Sequence, residues 1–321
     1  MNDEKDLMAI RNLAPDLYLT LAMILLLFST SAGAKVVHEE RSVYSRIIVE
    51  DTYSTRCLKF TLKRDDSTQT CINLSKPKKM VFSYTKMTLA SLLLNPGPKR
   101  ILIVGLGGGT LPMALADLLP DAVIETVEID EAVVRVAKDY FGFVEGPRNK
   151  TITQDARVFG KRSVLRGIEY DLIVLDAFNG EYIPEHLMTV EFLQEMQALL
   201  SADGVLVANT FAASRLYDFE SATYARVFGR FLNFRATTTG NRVILVPQAR
   251  LAAEQRAPLS LASLQARADA LAPALKPYDV PIQQYARRLV AVAQQQPDWN
   301  TATPPLTDQF SPANVLRSQA R

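Results

Sequence analysis

The sequence lacks several patterns that would assign a function at once. It has no block of lysine or arginine and a formal net charge of only +2, so we expect no nucleic-acid partner. It shows no internal repeat and no low-complexity tract. Only two cysteines and two histidines occur in 321 residues, and we predict no metal site. The remaining composition, 48% hydrophobic and 22% charged, is that of a globular protein long enough for one large domain and a small one.

The N-terminal segment is a long stretch without charge. The 18 residues from Leu17 to Ala34 read LYLTLAMILLLFSTSAGA, and their apolar core has the length typical of a signal-peptide hydrophobic region. Ala32 and Ala34 form an A-x-A cleavage pattern. We predict that residues 1–34 are a signal peptide or a membrane anchor and that residues 17–34 associate with the membrane. The predicted location is the cell envelope, periplasmic or membrane-anchored, with the cytoplasm as the alternative.

The two cysteines occupy facing positions in a predicted hairpin. Cys57 and Cys71 flank LKFTLKRDDSTQT, a pattern typical of two strands with a turn at RDDS. A turn centred on Arg64 would place the cysteines opposite each other. An oxidising compartment would then favour a disulfide between them. The alternative is a pair of small buried thiols in a cytosolic protein.

The hydrophobic pattern divides the chain after the first segment into three parts. In residues 36–80, apolar and polar residues alternate over short runs, which predicts a small antiparallel β domain. Residues 81–250 alternate strictly between strand and helix, which predicts a parallel sheet with helices on both faces. Within this part, NFRATTTGNRVILVPQ predicts a hairpin at an antiparallel edge. Residues 251–321 predict a helical extension and an irregular tail.

A glycine-rich loop follows the first strand of the alternating part. The loop VGLGGGT contains Gly105, Gly107 and Gly109, and glycine allows sharp turns and a close approach of the backbone to a ligand. Glu128 ends the second strand, 23 residues after Gly105, where a carboxylate can accept both hydroxyls of a ribose. The sixth position of the dinucleotide fingerprint G-x-G-x-x-G is Thr110 here instead of glycine. No Walker lysine follows the loop, which excludes a P-loop.

Two further acids follow strands three and four. In QDA, Asp155 can accept a hydrogen bond from the adenine amine, and Ala156 leaves room for the ring. Asp176 ends the strand DLIVLD. Because ligands bind at the carboxyl ends of parallel strands, we expect the loop and these acids to meet in one crevice. The features favour a nucleoside of the S-adenosylmethionine type over NAD, with Asp176 beside its sulfur.

At these residues the chain resembles the spermidine synthase family, the polyamine aminopropyltransferases, in a divergent branch with an N-terminal signal or anchor segment. The resemblance runs from about Glu40 to Pro247 and includes VFSYTKM, ILIVGLGGGT, VEID, QDAR and YDLIVLDAF. It implies an α/β Rossmann-like fold of the class I methyltransferase type and S-adenosylmethionine or its decarboxylated form as co-substrate. It also implies aminopropyl transfer to a small-molecule amine, with Asp176 as the proton acceptor, and a homodimer. Tyr84 is the second candidate catalytic residue, as a wall of the substrate site, with a core residue as the alternative.

The acceptor side of the predicted site departs from the family pattern. The family's Asp, Asp, His and Gln are replaced here by Gly108, Asn179, Thr85 and Ser45. Loss of two carboxylates weakens the binding of a dication, so we expect that putrescine is not the substrate. Asn179, Glu181 and His186 are candidate substrate-binding residues. His186 is either a general base or a loop histidine, and Asp308 either folds over the site or forms a local turn.

Two other functions stay open at this stage. The first is an S-adenosylmethionine-dependent methyltransferase on the same fold. The second is a non-catalytic envelope protein that binds a nucleoside or a polyamine. Because S-adenosylmethionine is made and used in the cytosol, an exported domain favours the non-catalytic alternative, and an anchored cytosolic domain favours the enzymes.

A reporter fused after residue 40 tests the predicted segment. We expect an alkaline phosphatase reporter, which is active only outside the cytosol, to be active in this fusion. The control carries Leu25→Asp and Leu26→Asp, which interrupt the apolar run and should abolish the activity. Equal phosphatase activity in both fusions, or none in either, would contradict export.

Overall fold

The computed structural model describes residues 34–61, 66–178, 183–212, 214–235, 240–248 and 260–319. Within these ranges, no helix combines the length and the apolar character needed to cross a membrane. All of the predicted segment 17–34 except its last residue lies outside them, so its role and the localisation stay predictions. Residues from Val36 to Arg321 form one unit. The predicted divisions at residues 80 and 250 also stay predictions.

The small N-terminal sheet has four strands in the order β1-β2-β3-β4. They are β1 (Lys35–Arg41), β2 (Arg46–Thr52), β3 (Thr55–Thr61) and β4 (Asp66–Asn73). β3 pairs antiparallel with both β2 and β4. Ile47, Val49 and Leu58 pack into one hydrophobic core, as expected for a sheet with one face on a core.

The cysteines lie directly opposite each other in the β3–β4 pair. Cys57 is the register partner of Cys71, their Cα atoms are 4.1 Å apart, and a disulfide joins them. A register shift follows between Leu58 and Lys59. The pairing therefore places the disulfide between the shift and the open end of the hairpin. Of the predicted turn RDDS, Asp66 and Ser67 belong to β4, and Arg64 and Asp65 lie outside the described residues.

The main sheet has seven strands in the order β10-β11-β9-β8-β5-β6-β7. They are β5 (Arg100–Val104), β6 (Val123–Glu128), β7 (Asn149–Thr153), β8 (Tyr170–Leu175), β9 (Leu200–Phe211), β10 (Leu232–Arg235) and β11 (Asn241–Pro247). β5 to β9 pair in parallel, and the hairpin of β10 and β11 joins β9 antiparallel. This topology confirms the predicted α/β fold class with an antiparallel edge.

Helices cover both faces of the main sheet. The described helices are α1 (Ser83–Thr88), α2 (Thr110–Leu118), α3 (Glu131–Phe141), α4 (Ala156–Leu165), α5 (Val190–Ala198), α6 (Leu216–Phe228), α7 (Leu261–Leu275), α8 (Ile282–Ala293) and α9 (Ala313–Ser318). Ile101 and Ile103 pack into one hydrophobic core, and Leu102 and Val104 pack into another on the opposite face. This alternation follows from the two-residue period of a strand whose faces are both buried.

The helical segment before β5 consists of two kinds of helix. α1 ends at Thr88 and a 3₁₀ helix, Leu89–Leu93, continues it. The hydroxyl of Thr88 donates to the backbone carbonyl of Tyr84, and the hydroxyl of Ser91 donates to the backbone carbonyl of Thr88. Such bonds from side chain to backbone compete with regular helix formation and account for the tighter turn.

The C-terminal part of the chain is packed onto the sheet. Leu264, Ala268 and Leu289 of α7 and α8 belong to the core that contains β5 and β9. The tail, predicted to be mostly irregular, contains the short helix α9 and buries Leu306 and Leu316 in the opposite core. A helix of six residues is too short to show a helical period of apolar residues, so the sequence did not indicate it.

Two glycines with positive φ allow a matched test of packing behind the glycine loop. Gly109 has φ +73° and Gly142 has φ +70°. A Cβ on Gly109 would lie 2.5 Å from Cδ2 of Phe143, whereas one on Gly142 meets nothing within 4 Å. We expect Gly142→Ala to lower the free energy of unfolding by about 1 kcal/mol, the cost of the left-handed conformation. Gly109→Ala should lose a further ~1–3 kcal/mol through overpacking.

Urea unfolding of both variants gives the two differences. Equal losses would show that the Phe143 ring moves away from residue 109 without cost.

Candidate functional site

A cavity of about 260 Å³ lies at the carboxyl ends of the parallel strands. The main sheet lines it with Gly105 and Gly107 after β5, Glu128 at the end of β6, Asp155 and Ala156 after β7, and Asp176 after β8. The small sheet and α1 line it with Tyr44, Ser45, Phe60, Gln69, Thr70, Tyr84 and Thr85. The volume is close to the lower end of the range for small-molecule sites.

The glycine loop brings two strand ends close together. Gly105 has φ +98°, and a Cβ there would lie 2.4 Å from the backbone oxygen of Asp176. Gly107 has φ +54° and lines the cavity. Gly109, also predicted to bind the cofactor, does not line the cavity, because it is the N-cap of α2 and packs against Phe143. Gly105 thus permits the approach of β8, and Gly107 exposes backbone to a ligand.

The carboxylate of Glu128 is held by backbone donors. The N–H of Leu106 donates to Oε2 at 2.9 Å, and the N–H of Asp130 donates to Oε1 at 3.0 Å. Burial raises the pKa of Glu128 above its ordinary value, although these N–H groups favour the charged form. Each carboxylate oxygen can accept a second hydrogen bond. The group can therefore bind two ligand hydroxyls without losing its backbone partners.

Asp155 and His186 form a pair in the wall of the cavity. Oδ1 of Asp155 caps α4 by accepting from the N–H of Val158 at 2.9 Å. Oδ2 lies 3.3 Å from Nε2 of His186, which stands in the 3₁₀ turn Glu185–Leu187. The structure thus pairs His186 with the predicted adenine-binding acid, and His186 and Ala156 both line the cavity.

Asp176 is the acid most changed by its surroundings in this cavity. Withdrawal from bulk water raises its pKa to about 7, and hydrogen bonds from Asn209 and Tyr84 limit the rise. Nδ2 of Asn209 donates to Oδ1 of Asp176 at 2.9 Å, and Nδ2 of Asn241 donates to Oδ1 of Asn209 at 3.1 Å. A carboxyl with a pKa near 7 can take up and release a proton at neutral pH.

Tyr84 supplies a neutral phenol next to this acid. Burial raises the pKa of Tyr84 well above its ordinary value, and the charge of Asp176 adds to the effect. Its hydroxyl also lies 3.4 Å from the carbonyl oxygen of Gln69 on β4. Tyr84 therefore connects α1, the small sheet and Asp176 at one wall of the cavity.

Comparison with known proteins decides the family. The spermine/spermidine synthase domain matches residues 81–248, about half of the chain. A polyamine aminopropyltransferase from Vibrio vulnificus (strain CMCP6) is 49% identical over 284 residues, which are 88% of this chain and 91% of that protein. The chain belongs to the spermine/spermidine synthase family.

Two solved structures agree with this spermine/spermidine synthase fold. A probable spermidine synthase from Corynebacterium glutamicum ATCC 13032 has a TM-score of 0.58 and 22% identity, and covers 84% of this chain and 99% of that one. A spermidine synthase crystallised with the transition-state analogue AdoDATO has a TM-score of 0.51 and 26% identity, and covers 67% of this chain and 74% of that one. The spermine/spermidine synthase family favours aminopropyl transfer over the methyltransferase and non-catalytic alternatives.

Several predicted residues lie elsewhere or outside the described ranges. Asn179 and Glu181 fall in residues 179–182, which are not described, so their roles stay predictions. Asp308 does not line the cavity. Both of its oxygens accept from Arg157 at 2.7 Å, and the same guanidinium pairs with Glu195 of α5 at 3.1 Å. Asp308 thus connects the C-terminal tail to α4.

Asn209 is a site residue that the sequence interpretation missed. It lies in the fifth strand of the alternating part, where GVLVANTF changes from apolar to polar residues. The rule that ligands bind at the carboxyl ends of parallel strands located Asp176 at the end of DLIVLD. The same rule could have located Asn209. Within the described residues, no group of three or more His, Cys, Asp or Glu side chains is placed to hold a metal ion.

The raised pKa of Asp176 makes a prediction about stability. Its folded-state pKa of about 7 exceeds the ordinary 3.8, so the stabilising effect of the bound proton is complete below pH ~4 and is lost as the pH rises through 7. Asp176→Asn removes this dependence. From pH 5 to pH 8 we expect wild type to lose about 2–3 kcal/mol of unfolding free energy relative to the variant.

Chemical unfolding at the two pH values measures the difference. Asp139→Asn, an exposed exchange of the same type on α3, is the control and should follow wild type. A variant of residue 176 that also follows wild type would contradict the raised pKa.

Proposed function

We propose that the chain transfers the aminopropyl group of decarboxylated S-adenosylmethionine to an amine, with Asp176 as the proton acceptor. The observation that carries the proposal is the position of Asp176. Its carboxyl, with a pKa of about 7, lines the same cavity as Glu128 and the glycine loop. Polyamine aminopropyltransferase is also the name of the Vibrio vulnificus relative.

The nucleoside part of the donor fits the wall formed by the main sheet. Glu128 would accept the ribose hydroxyls, since each of its oxygens keeps a lone pair beyond its backbone bond. Asp155 would accept from the adenine amine, with His186 as its neighbour at 3.3 Å, and Ala156 leaves room for the ring. The AdoDATO complex of a related spermidine synthase supports a donor of this kind.

The transfer step needs a neutral amine and a base. The nitrogen lone pair forms a bond to the aminopropyl carbon attached to the sulfonium, and the carbon–sulfur pair moves onto sulfur to give a neutral thioether nucleoside. The proton that the acceptor ammonium gives up goes to Asp176, whose pKa of about 7 suits this transfer at neutral pH. Asn209 fixes the carboxylate through Oδ1, and the phenol of Tyr84 from α1 lies beside it.

The acceptor is proposed to be an amine other than putrescine. The position that carries an Asp in the family is Gly108 here, and the space beside it is filled. A Cβ at residue 108 would lie 2.4 Å from Cγ2 of Thr70 and 2.9 Å from Cδ1 of Phe141. A second carboxylate therefore has no room there, and a compact dication loses one partner. The homodimer and the membrane association of residues 17–34 stay predictions.

An assay of the purified chain tests the donor and the base together. With decarboxylated S-adenosylmethionine and a panel of amines, we expect release of 5′-methylthioadenosine. Asp176→Asn should lower the rate at least ~100-fold, because an amide cannot accept the proton. Calorimetry with 5′-methylthioadenosine should give unchanged affinity.

Asp139→Asn is the matched control and should keep full activity. Formation of S-adenosylhomocysteine from S-adenosylmethionine, with no thioether released from the decarboxylated donor, would identify a methyltransferase instead. Full activity of Asp176→Asn would remove the proposed role of that acid.

A further inference from the structure

A second cavity lies next to the first and is not used by the proposed reaction. Its volume is about 340 Å³. Thr70, Thr85 and Thr110 line both cavities. We call it the second chamber; its other lining residues are Cys71, Ile72, Pro77, Lys78, Lys79, Met80, Val81, Phe82, Met113, Ala114, Asp117, Phe141, Gly142 and Tyr278. The two cavities therefore meet at the side chains of these three threonines.

The described walls of the second chamber are mostly apolar. Ile72, Met80 and Phe141 are buried core residues, and Met113 packs beside a small core under the glycine loop. The hydroxyl of Thr85 donates to the carbonyl of Phe82 at 2.8 Å, so its hydrogen is already used. A group that enters this space meets hydrocarbon, sulfur and ring surfaces, which favour an uncharged occupant.

Each charged side chain that lines the chamber has an ion-pair partner. Nζ of Lys78 lies 2.8 Å from Oδ2 of Asp117, and the hydroxyl of Tyr278 donates to the same oxygen. Nζ of Lys79 lies 3.3 Å from Oδ2 of Asp279, an oxygen that also accepts from Nζ of Lys86 at 2.7 Å. Lys78, and after it Tyr278, hold the pKa of Asp117 below its ordinary value. A second ammonium on the acceptor would have to compete with a lysine for Asp117.

Gly108 shows that the chamber wall is closely packed against the glycine loop. Unlike Gly105, Gly107 and Gly109, it is not among the glycines with positive φ, so its backbone does not require glycine. A Cβ there would press on Thr70 and Phe141, both of which line the second chamber. The absent side chain thus lets this apolar wall approach the loop.

We propose that the second chamber binds the distal part of the acceptor, and that this part is an uncharged alkyl or aryl group. This rests on the proposed function, in which the reacting nitrogen lies at Asp176. Tyr84, the neighbour of Asp176, is followed in α1 by Thr85, which belongs to both cavities. A chain attached to the reacting nitrogen can pass Tyr84 and Thr85 into the second chamber, where each buried methylene strengthens binding.

A series of linear primary amines from propylamine to octylamine, with putrescine for comparison, tests this assignment. We expect kcat/KM to rise about threefold to fourfold for each methylene until the chamber is filled, from the free energy of burying a methylene. Hexylamine should exceed putrescine, because the second ammonium of putrescine opposes burial.

Two variants fill the chamber from different sides. Met113→Trp occupies it from α2, and Val81→Trp occupies it from the rim, where Val81 is 40% exposed and a larger side chain is tolerated in folding. Each should lower kcat/KM for hexylamine at least ~10-fold and leave that for propylamine within about twofold. Met113→Leu keeps the volume and is the matched control for the tryptophan.

Calorimetry separates this assignment from the proposed reaction. Wild type saturated with 5′-methylthioadenosine should bind hexylamine, and Met113→Trp should not. If no amine gives a thioether nucleoside, the proposed function fails, and this binding difference alone still supports the chamber. Equal binding of hexylamine by wild type and both tryptophan variants, or no binding by wild type, would overturn the assignment. So would a chain-length series without slope.

Discussion

The hydrogen bond from Asn209 to Asp176 fixes the acid on which the proposed chemistry depends. The two residues follow Ala208 and Leu175, which are register partners in the parallel pair of β9 and β8. Their side chains therefore leave adjacent strands at the same level, and the amide meets Oδ1 at 2.9 Å. On the other side of β8, only a glycine at residue 105 allows the backbone of Asp176 so close. The acid is held between two strand ends and has little contact with bulk water.

The strand end that carries Asn209 is itself fixed by a buried ion pair. Arg242 is fully buried, and its Nε donates to Oγ1 of Thr210 at 2.7 Å, next to Asn209. Its guanidinium lies 3.3 Å from Glu220 of α6. Burial raises the pKa of Glu220 to about 7 despite the arginine. Removing one partner of such a pair leaves an uncompensated charge, so the pair keeps β9, β11 and α6 in one arrangement.

The sequence predicts this site where a local rule applies and misses it where contacts are distant. Glu128, Asp155 and Asp176 were located because each follows an apolar strand, and all three line one cavity. The link between Arg157 and Asp308 joins residues 151 positions apart, and hydrophobic periodicity carries no information about such a pair. Gly109 belongs to the motif by spacing, but its neighbour Phe143 comes from the turn after α3. Hydrophobic periodicity could not predict the second chamber either, since its walls come from elements that are distant in the sequence.

The small sheet contributes to both cavities, which connects the two parts of the proposed acceptor site. Thr70 lines both spaces and precedes Cys71, whose disulfide to Cys57 joins β4 to β3. The same sheet packs through Ile47 and Ile72 on α3, the helix that follows Glu128 in the chain. A displacement of this sheet would therefore move one wall of each cavity together. Because each charged side chain of the second chamber already has an ion-pair partner, the shape of this wall, more than its charge, would decide which amine reaches Asp176.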